Sequence, residues 1–228
     1  MQRRVIPELL DTDSGTPAQL AASLDDLRRI NRWFGGIPTS QSMVQCVARK
    51  STTRSLSLLE VAAGAGDVPR TVAERLSRRG IHLPVTLLDR SPAHLQCRRN
   101  GARAVAADAL ALPFADASFD LVSCCLFAHH LGQQELVKFV NEGLRVCRIA
   151  VLINDLIRNP LHLMLVYAGF PLYRSSLTRH DAPASVYAAY TPQEMLEILG
   201  HTNAAELELT RHYLFRMAVV AWKLRTEN

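Results

Sequence analysis

The chain contains no Cys-x-x-Cys spacing, no apolar run of membrane length and no block of basic residues, and each absence removes a class of protein. Its five cysteines, Cys46, Cys97, Cys124, Cys125 and Cys147, lie scattered, so neither structural zinc nor a disulfide framework is expected. The adjacent Cys124 and Cys125 read as small apolar packing residues. No run reaches the ~18–20 apolar residues of a membrane span. The longest candidate, 161–173, is broken by His162, Gly169 and Pro171, so stable membrane association is not expected. The start Met1-Gln2-Arg3-Arg4 is polar and unlike an export leader, which with the scattered cysteines points to the cytoplasm. The net charge of +5 and the pI near 9.2 come from separate pairs such as Arg3-Arg4, Arg28-Arg29, Arg78-Arg79 and Arg98-Arg99. Without interleaved aromatics these read as solvated helix faces, and no nucleic-acid partner is expected.

What is present is enough apolar material for one large core: 48% of 228 residues are hydrophobic. Apolar spacing predicts a helix over 17–34, started by Thr16-Pro17 and stopped by Gly35-Gly36-Ile37-Pro38, and a second over about 39–50. Strands are then expected near 56–61, 84–88, 104–107, 119–125 and 148–154, with helices over 68–79, 92–100 and 133–146. Such alternation calls for a parallel sheet covered on both faces. The rhythm breaks for about thirty-five residues after Asp155, and resumes where Thr191, Pro192 and Glu194 supply an N-cap, a first-turn proline and a capping box. Two strands, 205–210 and 213–222, close the chain around an expected tight turn at Arg211-His212. The layout divides into an N-terminal helical cap, 1–52, and an α/β domain, 53–228, carrying an insertion at about 156–190.

The densest signal is Leu58-Leu59-Glu60-Val61-Ala62-Ala63-Gly64-Ala65-Gly66-Asp67, a buried strand running into a paired-glycine turn and then a helix. Asp89 closes the next strand about twenty residues on, where a carboxylate can accept both hydroxyls of a ribose. Asp108-Ala109-Leu110 and Ser118-Phe119-Asp120-Leu121-Val122 follow in order. Over roughly residues 56–155 these motifs resemble those of class I S-adenosylmethionine-dependent methyltransferases. Pro69 stands where a dinucleotide fingerprint needs its third glycine, which counts against a nicotinamide cofactor. Ala62 replaces the first of the family's three glycines, a mild change provided that its φ is negative.

The resemblance implies a Rossmann-like, doubly wound seven-stranded sheet ending in an antiparallel hairpin, with N-terminal helices and a helical lid after the fifth strand. It implies S-adenosylmethionine as cofactor and S-adenosylhomocysteine as product. Asp89 would take the ribose and Asp108 with Ala109 the adenine; the loop at Ala62, Gly64 and Gly66 would meet the methionine portion, and Arg90 and Cys125 are also expected at the cofactor. Glu60 is left open between contacting the methionine amine, acting through water and capping the next helix.

Methyl transfer to oxygen needs acceptor, methyl and sulfur in line, and a phenolic or enolic oxygen gains from a base. His129 and His130, just after the fourth expected strand, are candidates, with His130 preferred as the single ring facing the crevice; His180 beside Asp181 is a third. Trp33, Met164, Tyr167, Arg179 and Asp181 are expected at the acceptor, within a largely apolar lid that favours a small aromatic or polyketide-like molecule. Residues 158–160 and 178–186 resemble bacterial secondary-metabolism methyltransferases of phenols and quinols. C-methylation of a quinol ring and a non-catalytic S-adenosylmethionine-binding scaffold remain open alternatives. No metal is expected, because Asn154 and Asp155 have no evident third ligand. The oligomeric state, monomer or homodimer, is not legible.

Overall fold

The computed structural model describes residues 1–12, 15–96 and 103–224. Its centre is a seven-stranded sheet of β1 (Leu58–Val61), β2 (Val85–Asp89), β3 (Arg103–Ala106), β4 (Phe119–Cys125), β5 (Cys147–Leu156), β6 (Glu206–His212) and β7 (Arg216–Trp222). The spatial order is β3-β2-β1-β4-β5-β7-β6. The first five strands pair in parallel, and β7 lies antiparallel to both β5 and β6. Strand order therefore reverses between β1 and β4, and their carboxyl ends open a crevice there.

Alternation along the central strands splits the core in two. Leu59, Val61, Val151 and Ile153 face one layer, which is covered by α5 (Gln133–Val146) and α8 (Pro192–Leu199). Leu58, Leu121, Ala150 and Leu152 face the other, covered by α2 (Gly36–Lys50) and α3 (Asp67–Ser77). Both layers are largely apolar at the sheet, as a sheet covered on two faces requires, with buried Glu60, Ser123, Asn154 and Asp155 the polar exceptions on the central strands. α1 (Pro17–Trp33) packs against α2 and α7 (Ser176–Ala188), and the short α4 (Pro92–Gln96) follows β2.

Local chemistry explains most boundaries. Thr16 and Gln19 form a reciprocal capping box with Pro17 at the first position of α1, and Thr191, Pro192 and Glu194 do the same for α8. α2 starts at Gly36, three residues before the expected start, because Gly35 turns the chain in the left-handed region (φ +84°) and Pro38 fits inside a first turn. The terminal hairpin turns at 213–215, with Leu214 and Phe215 at φ +53° and +60°, so Arg211 and His212 belong to β6 instead of forming the turn. The helix expected over 92–100 is described only to Gln96; Cys97 and the rest of that span lie outside the described residues.

After β5 come α6 (Pro160–Ala168), a 3-10 turn (Phe170–Leu172) and α7, which the broken rhythm of the sequence did not separate. Asn159 caps α6 and Ser175 caps α7 through backbone N–H groups two residues on. α7 carries Pro183 in its interior and has little one-sided apolar spacing, which is why it was unreadable as a helix. The N-terminal residues run across this region: Arg3 donates to the carbonyls of Ala188, His129 and Leu131, and the Leu9 and Leu10 N–H groups donate to Asp181. Among the described residues no helix is long and apolar enough to cross a membrane.

Candidate active site

A cavity of about 610 Å³ opens at the carboxyl ends of β1, β2 and β4, a size suited to a small-molecule site. Its walls bring together Glu60, Ala62, Gly64, Asp89, Arg90, Asp108, Ala109 and Cys125, eight of the nine residues expected around the cofactor. Gly66 shapes the loop from behind. It caps α3 at φ +68°, and a Cβ there would stand 2.5 Å from Leu87 Cδ1.

Ala62 corrects the expectation placed on it: its φ is +53°, alongside Gly64 at +52°. An alanine held in the left-handed region costs roughly 1–2 kcal/mol relative to glycine. The loop is held by Asp89, whose carboxylate accepts the Gly64 N–H at 2.8 Å and the Ser91 N–H at 2.9 Å. Burial opposes its charge, yet His94 and these N–H donors hold the carboxyl below its ordinary value. Asp108 accepts the Leu110 N–H at 2.8 Å and lies exposed at the adenine end of the expected cofactor path.

Glu60 is buried under the loop and accepts a hydrogen bond from Ser123 Oγ. Burial pushes its carboxyl up to about 7, with the Ser123 bond pulling the other way. Cys125, on the same floor, is pushed up to about 12, chiefly by burial, so its thiol stays neutral and packs. Arg216, only 1% exposed, also reaches the cavity. Its guanidinium donates to Asn31 Oδ1 (3.0 Å), Asn154 Oδ1 (3.3 Å) and the Phe34 carbonyl (3.3 Å), and meets no carboxylate within ion-pair distance among the described residues.

The histidines line the same cavity from a 3-10 turn (Ala128–His130) that follows β4. Both line the cavity, against the expectation that one ring alone would face it. His129 is buried; its Nδ1 donates to Asp155 Oδ1 at 2.7 Å and its Nε2 stands 3.4 Å from Glu8 Oε1. Burial alone would lower this ring, but Asp155 and then Glu8 outweigh it and hold it at about 10. His130 is half-buried and directs Nδ1 to Asp11 Oδ2 at 2.8 Å.

The third candidate, His180, pairs with Asp181 at 2.9 Å but lies largely in solvent, off the cavity wall. Asp181 spends both oxygens on the Leu9 and Leu10 N–H groups, and Arg179 donates to the Tyr173 carbonyl. Trp33, Met164 and Tyr167 are exposed and do not wall the cavity; Val166, Tyr173, Ala182 and Val186 do so from the lid. α6 is apolar all round, so spacing could not tell which side turns inward. The residues that sequence reading missed, Glu8, Asp11, Asn31 and Arg216, come from far along the chain and carry no motif; folding alone brings them to the crevice.

Residues 59–151 match the methyltransferase domain family. No curated protein sequence matches the chain. Among solved structures, the plantazolicin methyltransferase BpumL in complex with S-adenosylhomocysteine superposes with a TM-score of 0.72 at 13% identity, covering 96% of this chain and 95% of that one. A SAM-dependent methyltransferase from Aquifex aeolicus gives 0.58 at 15% identity, covering 88% and 95%. Magnesium protoporphyrin IX methyltransferase from Synechocystis PCC 6803, with bound S-adenosylhomocysteine, gives 0.55 at 15% identity, covering 83% and 84%. Residues 59–151 thus resemble the methyltransferase domain family, and the fold over most of the chain is the one shared by these S-adenosylmethionine-dependent methyltransferases.

Proposed function

We propose that the protein transfers a methyl group from S-adenosylmethionine to a hydroxyl oxygen of a small aromatic or polyketide-derived acceptor. The observation that carries this reading is the one cavity lined both by Asp89 and the Gly64 loop and by His129 and His130. The residues suited to the cofactor thus share one space with a candidate proton acceptor, His130.

Asp89 would accept from the ribose hydroxyls while it braces the loop, Asp108 and Ala109 would flank the adenine, and Glu60 would face the cofactor's ammonium. The acceptor would enter beneath α6 and α7, where Val166, Tyr173, Ala182 and Val186 give a mostly apolar lining. Transfer forms an oxygen–carbon bond as the carbon–sulfur bond breaks, the electron pair staying on sulfur, so holding the three atoms in line is the main demand. The acceptor's proton would pass to His130, because Asp155 and Glu8 already hold His129 protonated.

Incubation with labelled S-adenosylmethionine and a panel of phenols and quinols tests this reading. An ether product supports it; a methyl group on ring carbon would redirect it to C-methylation. No turnover with any acceptor, despite tight cofactor binding, would leave a binding scaffold.

A further inference from the structure

Two features of the histidine wall are unexplained by proton transfer alone. The first is convergence: His129 Nε2 and His130 Nε2 stand 3.4 Å and 3.9 Å from the two oxygens of one carboxylate, Glu8, and the ligating atoms of all three residues lie within 4.8 Å of one another. The second is an orphaned atom. His129 Nε2 is fully buried and makes no hydrogen bond, its approach to Glu8 lacking the required direction. An imidazolium clasped between Asp155 and Glu8 would direct a proton along that line.

The other face of each ring is braced. Asp155 holds His129 Nδ1 at 2.7 Å and Asp11 holds His130 Nδ1 at 2.8 Å, which fixes the tautomer and aims each Nε2 inward. Metal-binding histidines are held in this way, with a carboxylate on the ring nitrogen remote from the metal. Ligands at ~2.1 Å from a shared cation stand ~3–4 Å apart, close to the spacings seen here.

Charge points the same way. With neutral rings, Glu8, Asp11 and Asp155 leave three negative charges around the cluster. The nearest arginines, Arg3 and Arg90, donate to the backbone carbonyls of His129 and Asp11.

We propose that Glu8, His129 and His130 form a binding site for one divalent first-row transition metal, with Asp155 and Asp11 as the outer carboxylates that aim the two imidazoles. Two nitrogens and a carboxylate suit zinc, cobalt or iron(II) better than magnesium or calcium, which prefer oxygen throughout. Three protein ligands leave a position open toward the cavity, where an acceptor hydroxyl could coordinate, release its proton to solvent and keep its lone pair for the methyl carbon, so that with metal bound the two rings serve as ligands in place of accepting the proton. That consequence rests on the proposed function; the site itself does not.

The test uses the full chain, stripped with chelator and titrated with Co²⁺ and Zn²⁺ in the absence of any acceptor. Metal content after desalting, the visible cobalt spectrum and S-adenosylmethionine affinity are read on the same samples. The expected result is one equivalent bound, a cobalt spectrum of low coordination number, and at least ~100-fold weaker binding in Glu8→Gln and His130→Ala. Unchanged circular dichroism confirms that both variants are folded. Sub-stoichiometric binding, or equal binding by wild type and both variants, overturns the site. Loss of S-adenosylmethionine binding with metal binding intact would instead overturn the functional reading.

Discussion

Glu60 offers a thermodynamic test of the cofactor floor. In the empty protein burial holds its carboxyl at about 7, so near neutral pH it is half protonated. A cofactor ammonium beside it would favour the ionised form and expel the proton. Below about pH 7, S-adenosylmethionine affinity should therefore weaken about tenfold per pH unit, and above it level off. The same rise has a sign for folding. A carboxyl whose folded pKa is raised stabilises fully below its unfolded value of 4.5 and loses that contribution as pH climbs through about 7. At ~1.4 kcal/mol per unit, the empty protein should lose ~3 kcal/mol of stability across that window relative to Glu60→Gln. Calorimetric titration in buffers of different ionisation enthalpy would measure proton release directly at about pH 6, 7 and 8. Affinity that is flat with pH, or a slope that survives in Glu60→Gln, would refute the reasoning.

Three further outcomes follow from the same structure. Gly66→Ala places a Cβ 2.5 Å from Leu87 Cδ1 at a left-handed φ, so it should cost ~1–3 kcal/mol in denaturant melts and weaken cofactor binding. Arg216→Met removes the donor shared by Asn31, Asn154 and the Phe34 carbonyl, and should lower unfolding free energy by ~2–4 kcal/mol because buried acceptors lose their partner. Asp181→Ala releases the Leu9 and Leu10 N–H groups; limited proteolysis should then cut within residues 1–12 much faster, and acceptor KM should rise while cofactor affinity holds.

How far the sequence carried can be argued from individual residues. The mostly apolar strands β1, β4 and β5 and the caps at Thr16 and Thr191 were readable because burial on both faces and first-turn hydrogen bonding leave local marks. Asp89 was found by its distance from the glycine turn, a spacing the fold enforces. Ala62 was misjudged because its φ is imposed by the close approach of the loop to β2, where the Ala63 N–H donates to the Leu88 carbonyl. The lid was misassigned at Met164 and Tyr167 because an evenly apolar helix carries no directional signal. Glu8 and Asp11 could not be found at all: they reach the histidines only because Asp181 and the carbonyls of Ala188 and His129 hold the N-terminal strap across the crevice.

The central claim is that the crevice holds S-adenosylmethionine through Asp89. Calorimetric titration of the wild type and Asp89→Ala, with NADH as a parallel ligand, tests it most directly. Micromolar S-adenosylmethionine binding by the wild type, a loss of roughly 100-fold or more in the variant, and no binding of NADH are expected. Wild-type protein that ignores S-adenosylmethionine, or a variant that binds it equally well, would contradict the account.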